Sequence, residues 1–466
     1  MHDEELALVY YNYRFYNPKD GRWINRDPIA EQGGWNLYAF LGNSLQDKFD
    51  ALGLEDKKKD KEFLGYVYDQ ILEGTDIYIC ETTGLKINDK ILNNTVSESM
   101  NAFKEANSAN QAASNIRYAK DFSKKVSKLY KVTPGTKLIT IGGAIASDVH
   151  GKNHHVEGCF SSCVEEFTLI LPNGEIKNVK KDDELFLATC GGMGLTGVIL
   201  DAKISLKKIN SKYINQTTIK TKNLKDTFEA FEKYSHMPYS VAWIDCLASG
   251  EDIGKCLLMV GDFADDGKLD FKEKKKINIP LNFPSFALNS LSVKAFNWLY
   301  YKKAPMGESK QKVDIDTFFY PLDAINNWNR IYGKGGFTQY QFILPKEKSY
   351  DGLKEILEKI SNSKKGSFLA VLKLYGKENE NYLSFPLKGY SLALDFKIEK
   401  GIFELLNSLD EIVLKYGGRI YLTKDVRVSK ETFEKGYPNI EKFRELRKKY
   451  AMSEKFVSFQ SKRVGI

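Results

Sequence analysis

The chain has 466 residues, 42% hydrophobic and 13% aromatic, enough to bury a large core and, by length, to form more than one domain. Its 69 Lys and Arg against 61 Asp and Glu leave a formal charge of +8, spread as a mixed surface without a basic block of the kind that marks a nucleic-acid footprint. The 6 cysteines form no disulfide framework and no metal spacing beyond the single pair Cys159 and Cys163, so a reducing compartment is the expectation.

Met1-His-Asp-Glu-Glu opens acidic, and no secretory leader is expected there. Residues 1–54 are dense in Tyr, Trp, Asn and Gly, the pattern of short strands joined by tight turns. Asn17-Pro18-Lys19-Asp20-Gly21 is a turn with a mechanism, since Pro fixes φ and Gly accepts a left-handed conformation. Tyr10-Tyr-Asn-Tyr-Arg14, Gly21-Arg-Trp-Ile-Asn-Arg-Asp27-Pro, Gly34-Trp-Asn-Leu-Tyr38 and Asp50-Ala-Leu-Gly-Leu54 together resemble the end of an Rhs-repeat core, as found in polymorphic toxins. That resemblance implies self-cleavage after Leu54 by Asp27, Asp50 and Arg14, where two carboxylates divide the acid and base roles. Without the rest of the shell, inert strand and turn residues are the simpler reading of this fragment.

Residues 55–130 begin with a charge run at 55–62 and continue Asn-, Ser- and Lys-rich, helical around 97–119, which reads as a linker with helices. From residue 131 apolar runs alternate with Gly-rich turns: Leu138-Ile-Thr-Ile, Phe167-Thr-Leu-Ile-Leu and Gly197-Val-Ile-Leu as strands, and a short helix at 183–188. Pro172-Asn173-Gly174 predicts a hairpin. Strands at 339–344 and 368–374 and amphipathic helices at 350–361 and 402–416 complete an α+β pattern. The most apolar window, 279–301, is broken by Asn282, Pro284, Asn289 and Lys294; it is too polar to span a membrane and reads as a flap or a surface-lying segment.

The chemistry concentrates in Pro134-Gly-Thr-Lys-Leu-Ile-Thr-Ile-Gly-Gly-Ala-Ile-Ala-Ser-Asp-Val-His150-Gly-Lys-Asn-His-His155. Small residues from Gly142 to Ser147 let backbone approach a flat ligand or a pyrophosphate. His150 and His154 stand at i and i+4, but Gly151 disfavours a helix between them and no Glu follows the first His, so no metal is expected and packing is the stronger reading. A second Gly cluster, Gly191-Gly-Met-Gly-Leu-Thr-Gly197, is by itself compatible with a close backbone crossing.

Together these stretches resemble the flavin site of the vanillyl-alcohol-oxidase superfamily, specifically its decaprenylphosphoryl-β-D-ribose oxidase branch. Collinear matches continue through Tyr239-Ser-Val-Ala-Trp-Ile-Asp245, Thr317-Phe-Phe-Tyr-Pro-Leu-Asp323, Gly336-Phe-Thr-Gln-Tyr-Gln-Phe342, Ser384-Phe-Pro, Leu394-Asp-Phe396 and Gly417-Gly-Arg-Ile-Tyr-Leu-Thr-Lys-Asp-Val-Arg427. The resemblance implies a partial FAD-binding (PCMH-type) α+β subdomain at 131–210. It also implies an antiparallel-sheet substrate domain with flanking helices at 211–466, ending in a flavin-contacting segment. FAD contacts are implied from Gly135, Thr140, Ile141, Gly142, Gly143, Ser147, Asp148, Val149 and His150, with Ile199 and Tyr421 as further flavin wall. Lys424, Tyr421 and His150 are the implied catalytic group, with Lys424 orienting the sugar hydroxyl and stabilising developing negative charge. Gln339, Gln341, Lys373, Tyr375, Lys152, Trp243 and Ser391 would face a small or lipid-linked phosphorylated sugar.

Two departures stand out. Ser391 and Ala393 occupy positions where members of the branch often carry Asn and Cys, so the pocket thiol is missing. No Arg-Gly-Leu-Gly-Arg-Ser-type pyrophosphate loop occurs between Met1 and Lys131, which leaves room for a separate subunit or a reductase partner. The expected function is an FAD-dependent sugar oxidase, cytoplasmic and peripheral to the inner membrane. The alternatives are an Rhs toxin tip that is delivered or secreted, or a degenerate fusion; a zinc hydrolase ranks last.

Overall fold

In the computed structural model the described residues are 128–270 and 276–466, with the backbone of short strands ahead of them. Cα packing separates Met1–Lys90 from Ile91–Ile466. In the first unit, strands His2–Asp3, Leu8–Tyr11, Arg14–Asn17 and Arg22–Trp23 form an antiparallel meander, and Asn17 pairs with Arg22 across the expected turn. Arg14 opens the third of these strands, opposite Tyr11. Asp27, Asp50, Leu54 and the helix expected at 97–119 lie outside the described residues.

The second unit is an α+β body whose two main sheets differ greatly in size, beside two further two-stranded pairings. In the smaller, β1 (Val164–Ile170) lies between β2 (Ile176–Lys180) and β3 (Val198–Ile204), all antiparallel. The hairpin expected at Pro172-Asn173-Gly174 joins β1 to β2, with Gly174 at φ +84°. A short helix, α2 (Glu184–Thr189), precedes β3 as the sequence suggested.

One expectation fails here. Leu138-Ile-Thr-Ile, with its β-branched residues, is not a strand. Thr140 caps a helix instead, α1 (Ile141–Ala146), its hydroxyl accepting from the Gly143 amide at 3.0 Å. Leu138 is left 67% exposed, so no sheet gains by taking it. The small residues from Gly142 onward are therefore mostly helical rather than an open loop, and only the first-turn amides stay outside the helix ladder.

The larger sheet has eight antiparallel strands. These are β4 (Tyr213–Thr221), β5 (Tyr239–Ile244), β6 (Cys256–Phe263), β7 (Gly307–Asp314), β8 (Phe337–Pro345), β9 (Ala370–Tyr375), β10 (Gly389–Lys397) and β11 (Arg419–Ile420). Their order is β7-β4-β6-β5-β9-β10-β8-β11. Three amphipathic helices pack on this sheet: α3 (Leu224–Lys233), α5 (Ser349–Ser363) and α6 (Ile402–Lys415), with α4 (Ser290–Lys303) lying apart from them in the chain. α5 buries Leu353, Ile356, Leu357 and Ile360, and α6 buries Leu405, Leu406, Leu409 and Val413, the spacing of one helical face.

Register decides what the sheet offers on a given face. Gln339 pairs with Asp395 and Gln341 with Ala393; Val371 also pairs with Ala393, Lys373 with Ser391, and Trp243 with Val371. Because side chains alternate with period two, Trp243, Lys373, Tyr375, Ser391, Asp395, Gln339 and Gln341 share one face. β11 then runs into a turn, Leu422–Lys424, that is clamped from both sides. Arg427 makes a bidentate pair with the buried Asp410 of α6 at 2.6 and 2.7 Å, and Tyr340 adds its hydroxyl at 2.9 Å. On the other side Arg463 reaches Asp425 at 2.6 Å.

Arg427→Ala should strand the Asp410 carboxylate and cost about 3–5 kcal/mol in a urea unfolding experiment. The double change Arg427→Met with Asp410→Leu should recover most of that loss, which would not happen if the pair were solvated.

Candidate functional site

At the end of α1 the chain makes a strained turn. Asp148 is fully buried with φ +39°, and it directs the next residues onto the large sheet. Its carboxylate accepts from the Ser161 amide at 2.9 Å, from Asn379 and Asn381 side chains at 2.7 and 2.8 Å, and from the Ser384 hydroxyl at 2.7 Å. The second Gly cluster closes on the same corner: Gly191 and Met193 amides donate to the Ile145 and Ala146 carbonyls. Gly191 has φ +86°, and a Cβ there would meet Ser384 backbone at 3.0 Å, so a side chain is excluded.

His150 emerges from this turn into an aromatic cage. Its ring centroid stands 5.0 Å from Tyr375, 5.5 Å from Phe385 and 5.0 Å from Tyr421. The Gln341 amide nitrogen lies 3.1 Å from His150 Nε2, 3.3 Å from the Tyr375 hydroxyl and 3.1 Å from the Ser391 hydroxyl. Burial pushes the His150 pKa well below the ordinary range, and Lys373, His154 and Lys424 push it the same way. The imidazole is therefore neutral. With Gln341 donating to Nε2, its proton belongs on Nδ1, which is buried and has no partner among the described residues.

Two half-buried lysines, Lys373 and Lys424, act on His150 by charge, and Lys373 acts in turn on a third, Lys152. Burial and then Lys424 lower Lys373 to about 7, while burial and then Lys373 lower Lys152 to about 7. Burial also lowers Lys424, against the pull of Asp395. Lys152 spans to the Phe318 carbonyl and lies 4.6 Å over that residue's ring. His154 is stacked on Tyr375 at 4.6 Å, accepts from the Gly376 amide through Nδ1, and is brought down to about 3 by burial first and then by His155 and Lys373. These half-buried lysines, held below their ordinary pKa, would regain charge as an anion came against them. Among the described residues no three His, Cys, Asp or Glu side chains are arranged to hold a metal ion.

The expected site residues thus fall into two groups. His150, Gln341, Tyr375, Ser391 and Tyr421 touch directly, Ser147 joins through its carbonyl to the Tyr421 hydroxyl at 3.4 Å, Lys373 and Lys424 act on His150 by charge, and Lys152 is tied to the group only through Lys373. Thr140, Ile141, Gly142 and Gly143 begin α1, Val149 follows Asp148, and Gln339 sits two residues before Gln341. Gly135, Ile199 and Trp243 stand further out: Gly135 precedes α1, Ile199 lies in β3, and Trp243 donates its indole N–H to the Phe368 carbonyl at 3.0 Å. Four residues that sequence reading did not assign to the site belong to its construction. Phe385 is a cage wall, Asn379 and Asn381 hold Asp148, and Asp395 faces Lys424. Asp395 was visible as part of the Leu-Asp-Phe match and Phe385 as part of Ser384-Phe-Pro; Asn379 and Asn381 show only when the fold brings them together.

Asp395 accepts from Gln339 at 2.9 Å through one oxygen, while the other is buried without a partner among the described residues. Burial raises its pKa from 3.8 to about 6, with Lys424 and Gln339 opposing. The folded chain therefore holds this proton where the unfolded chain has released it, so the contribution to stability is complete below about pH 4 and is lost as pH rises through about 6. Asp395→Asn should leave stability unchanged near pH 4 and raise it by about 2–3 kcal/mol at pH 7, read from denaturation midpoints.

No family model matches the chain. It is 36% identical over 350 residues to decaprenylphosphoryl-β-D-ribose oxidase of Mycolicibacterium smegmatis, covering 72% of this chain and 75% of the relative. It is 27% identical over 353 residues to an uncharacterized protein in the mprA 5' region of Streptomyces coelicolor, covering 72% of this chain and 95% of that one. A separate stretch of 53 residues is 43% identical to the toxin protein Tse5 of Pseudomonas aeruginosa, 11% of this chain and 4% of the toxin, in keeping with the short Rhs-type resemblance. With a relative of this identity matched over three quarters of its length, the chain belongs to the decaprenylphosphoryl-β-D-ribose oxidase family.

Proposed function

We propose that the chain is an FAD-dependent oxidoreductase that oxidises a CH–OH group of a polyprenyl-phosphate-linked pentose or a related sugar alcohol. The observation that carries this reading is the neutral, caged His150, on which the half-buried Lys373 and Lys424 act by charge, with Lys152 next to Lys373. The residues suit the cofactor: among the described residues the His150 N–H is buried without a partner, and nothing within 4 Å crowds Gly135 or Gly142. Thr140 to Gly143, Ser147 to His150, and Tyr421 would hold the flavin, with the partial PCMH-type subdomain at 131–210 as its seat. FAD supplies the two-electron acceptor for the hydride that leaves the sugar carbon.

The chain's own groups do the rest. Lys424 Nζ, kept charged by Asp395 against its burial, orients the sugar hydroxyl and stabilises negative charge growing on its oxygen. Lys373 and Lys152 neutralise a phosphate that the site could not otherwise accept, because a buried anion needs a matching cation. Gln341 fixes the His150 tautomer and, with Ser391, sets the polar floor under the sugar. A separate subunit or a reductase would complete the cofactor site and take up electrons.

Purified chain should turn yellow on addition of FAD and bleach anaerobically with a phospho-pentose substrate. Lys424→Met should keep the flavin spectrum and lower kcat by about 10²–10³. Protein that stays colourless with FAD, or a Lys424→Met variant as fast as the parent, overturns the proposal.

The 43% identity to the toxin over 53 residues favours a second reading, in which the first unit is a delivery remnant that cuts itself after Leu54. Expressed full chain should then lose about 6 kDa on a denaturing gel, estimated from the mean mass of 54 residues, and Asp27→Asn should abolish the loss. A chain that remains whole removes this reading and leaves the oxidase reading untouched.

A further inference from the structure

Between residues 276 and 306 the sequence contains four lysines (Lys276, Lys294, Lys302 and Lys303) and no Asp or Glu. The same stretch carries the densest group of exposed apolar side chains among the described residues. Ile277, Leu281, Phe286, Leu291, Trp298 and Leu299 are each more than half exposed. A water-facing apolar surface of this kind is costly unless something covers it.

The backbone beneath this surface is held down. Ile277–Asn278 pairs in parallel with Ile325–Asn326, and the Arg330 guanidinium donates to the Ile279 and Pro280 carbonyls at 3.0 and 2.6 Å. Lys397 reaches the Ser285 carbonyl and, at 3.1 Å, the Leu288 carbonyl. A capping box of Asn289 and Ser292 then opens α4. The inner face of α4 is fixed by Val293, by Asn297 donating to the buried Asp245 at 2.7 Å, and by the Tyr301 hydroxyl on the Thr221 carbonyl at 2.8 Å. With that face taken, Leu291, Lys294, Trp298 and Lys302 form a stripe on the other at helical spacing. Lys302 lies 4.5 Å over the Trp298 ring. The apolar groups are thus presented outward on a tethered frame and cannot be withdrawn by a change of rotamer alone.

The chemistry of the stripe selects its occupant. Lysines flanking Trp, Leu and Phe, with no acid among them, suit a surface that is negative outside and apolar beneath. At 14 residues α4 is too short to cross a bilayer, and no helix among the described residues is long and apolar enough to do so. We infer that the face formed by residues 276–306 docks onto an anionic lipid bilayer, with Leu281, Phe286, Leu291 and Trp298 entering the acyl boundary and the lysines at headgroup level. The inner side of α4 meets the site face of the large sheet, since Tyr300 stands 4.9 Å from Trp243. Use of this contact to collect a lipid-linked substrate rests on the proposed oxidation; the docking itself does not.

The test is sedimentation of the full chain with vesicles of phosphatidylcholine alone and of phosphatidylcholine mixed equally with phosphatidylglycerol. Binding should be about tenfold or more tighter to the mixed vesicles and should weaken with salt. Leu281→Glu with Trp298→Glu, and separately Lys294→Glu with Lys302→Glu, should each reduce it about tenfold or more, with circular dichroism and melting unchanged because these side chains are exposed. Equal binding to both vesicle types, no binding, or variants that bind like the parent would overturn the inference. So would a lipid-free dimer, seen by light scattering, that Leu281→Glu with Trp298→Glu dissolves while vesicles stay unbound, since the face would then belong to a second copy. Vesicle binding is read without turnover, so an inactive or flavin-free preparation counts against the oxidation alone.

Discussion

Four donors from two stretches of chain, in place of a cation, satisfy the buried carboxylate of Asp148. Each charge-assisted bond is worth more than a neutral one, and together they offset the left-handed backbone at this residue, of order 1–3 kcal/mol. This one group joins the end of α1, the Ser161 turn and the 379–384 loop. His150 follows two residues later and Phe385 one residue after Ser384, so the cage around the imidazole takes its geometry from Asp148. The Gly cluster serves the same joint, because only a residue without Cβ lets Gly191 lie against Ser384.

Around that joint the site is electrostatically unbalanced. Lys373 acts on Lys152 and Lys424 acts on Lys373, while Asp395 favours only Lys424. Desolvation alone would discharge such groups, and that is the direction in which all three move. An anion entering the site would reverse the trend, recharging Lys152 and Lys373 as it binds. Asp395 works against its own burial to do for Lys424 what the substrate would do for its neighbours.

Much of this was legible in the sequence where local rules apply. The 172–174 hairpin, the helices over 350–361 and 402–416, and the strands over 339–344 and 368–374 agree with the structure to within a few residues, because period and turn chemistry are local properties. Leu138-Ile-Thr-Ile misled because its apolar, branched residues imitate a strand, while the Thr140 hydroxyl fits a helix cap just as well; the cap won because no sheet edge receives Leu138. The site divides on the same line. His150, Gln341 and Lys424 lie in motif-dense stretches, whereas Asn379 and Asn381 look like ordinary loop residues until a carboxylate more than 200 positions away is brought against them.

Sheet register also gives physical content to Ser391 and Ala393, the two positions singled out in the sequence as expected departures. Ser391 and Ala393 point to the same face as Gln341 and lie on the strand beside it. The Ser391 hydroxyl already accepts from the Gln341 amide, so one of its lone pairs is engaged in fixing the floor of the pocket. An Asn at that position would present a larger, two-sided amide and compete for the same donor. Ala393 offers only a methyl group where a thiol would project further. The floor is therefore shallower and has fewer free polar groups than one built on Asn and Cys. Under the proposed oxidation, discrimination between sugars would come from the hydroxyl of Ser391 and the hydrogen-bond capacity left on Gln341, because a methyl surface separates a hydroxyl from its absence only weakly, whereas a buried donor left unpaired is penalised strongly.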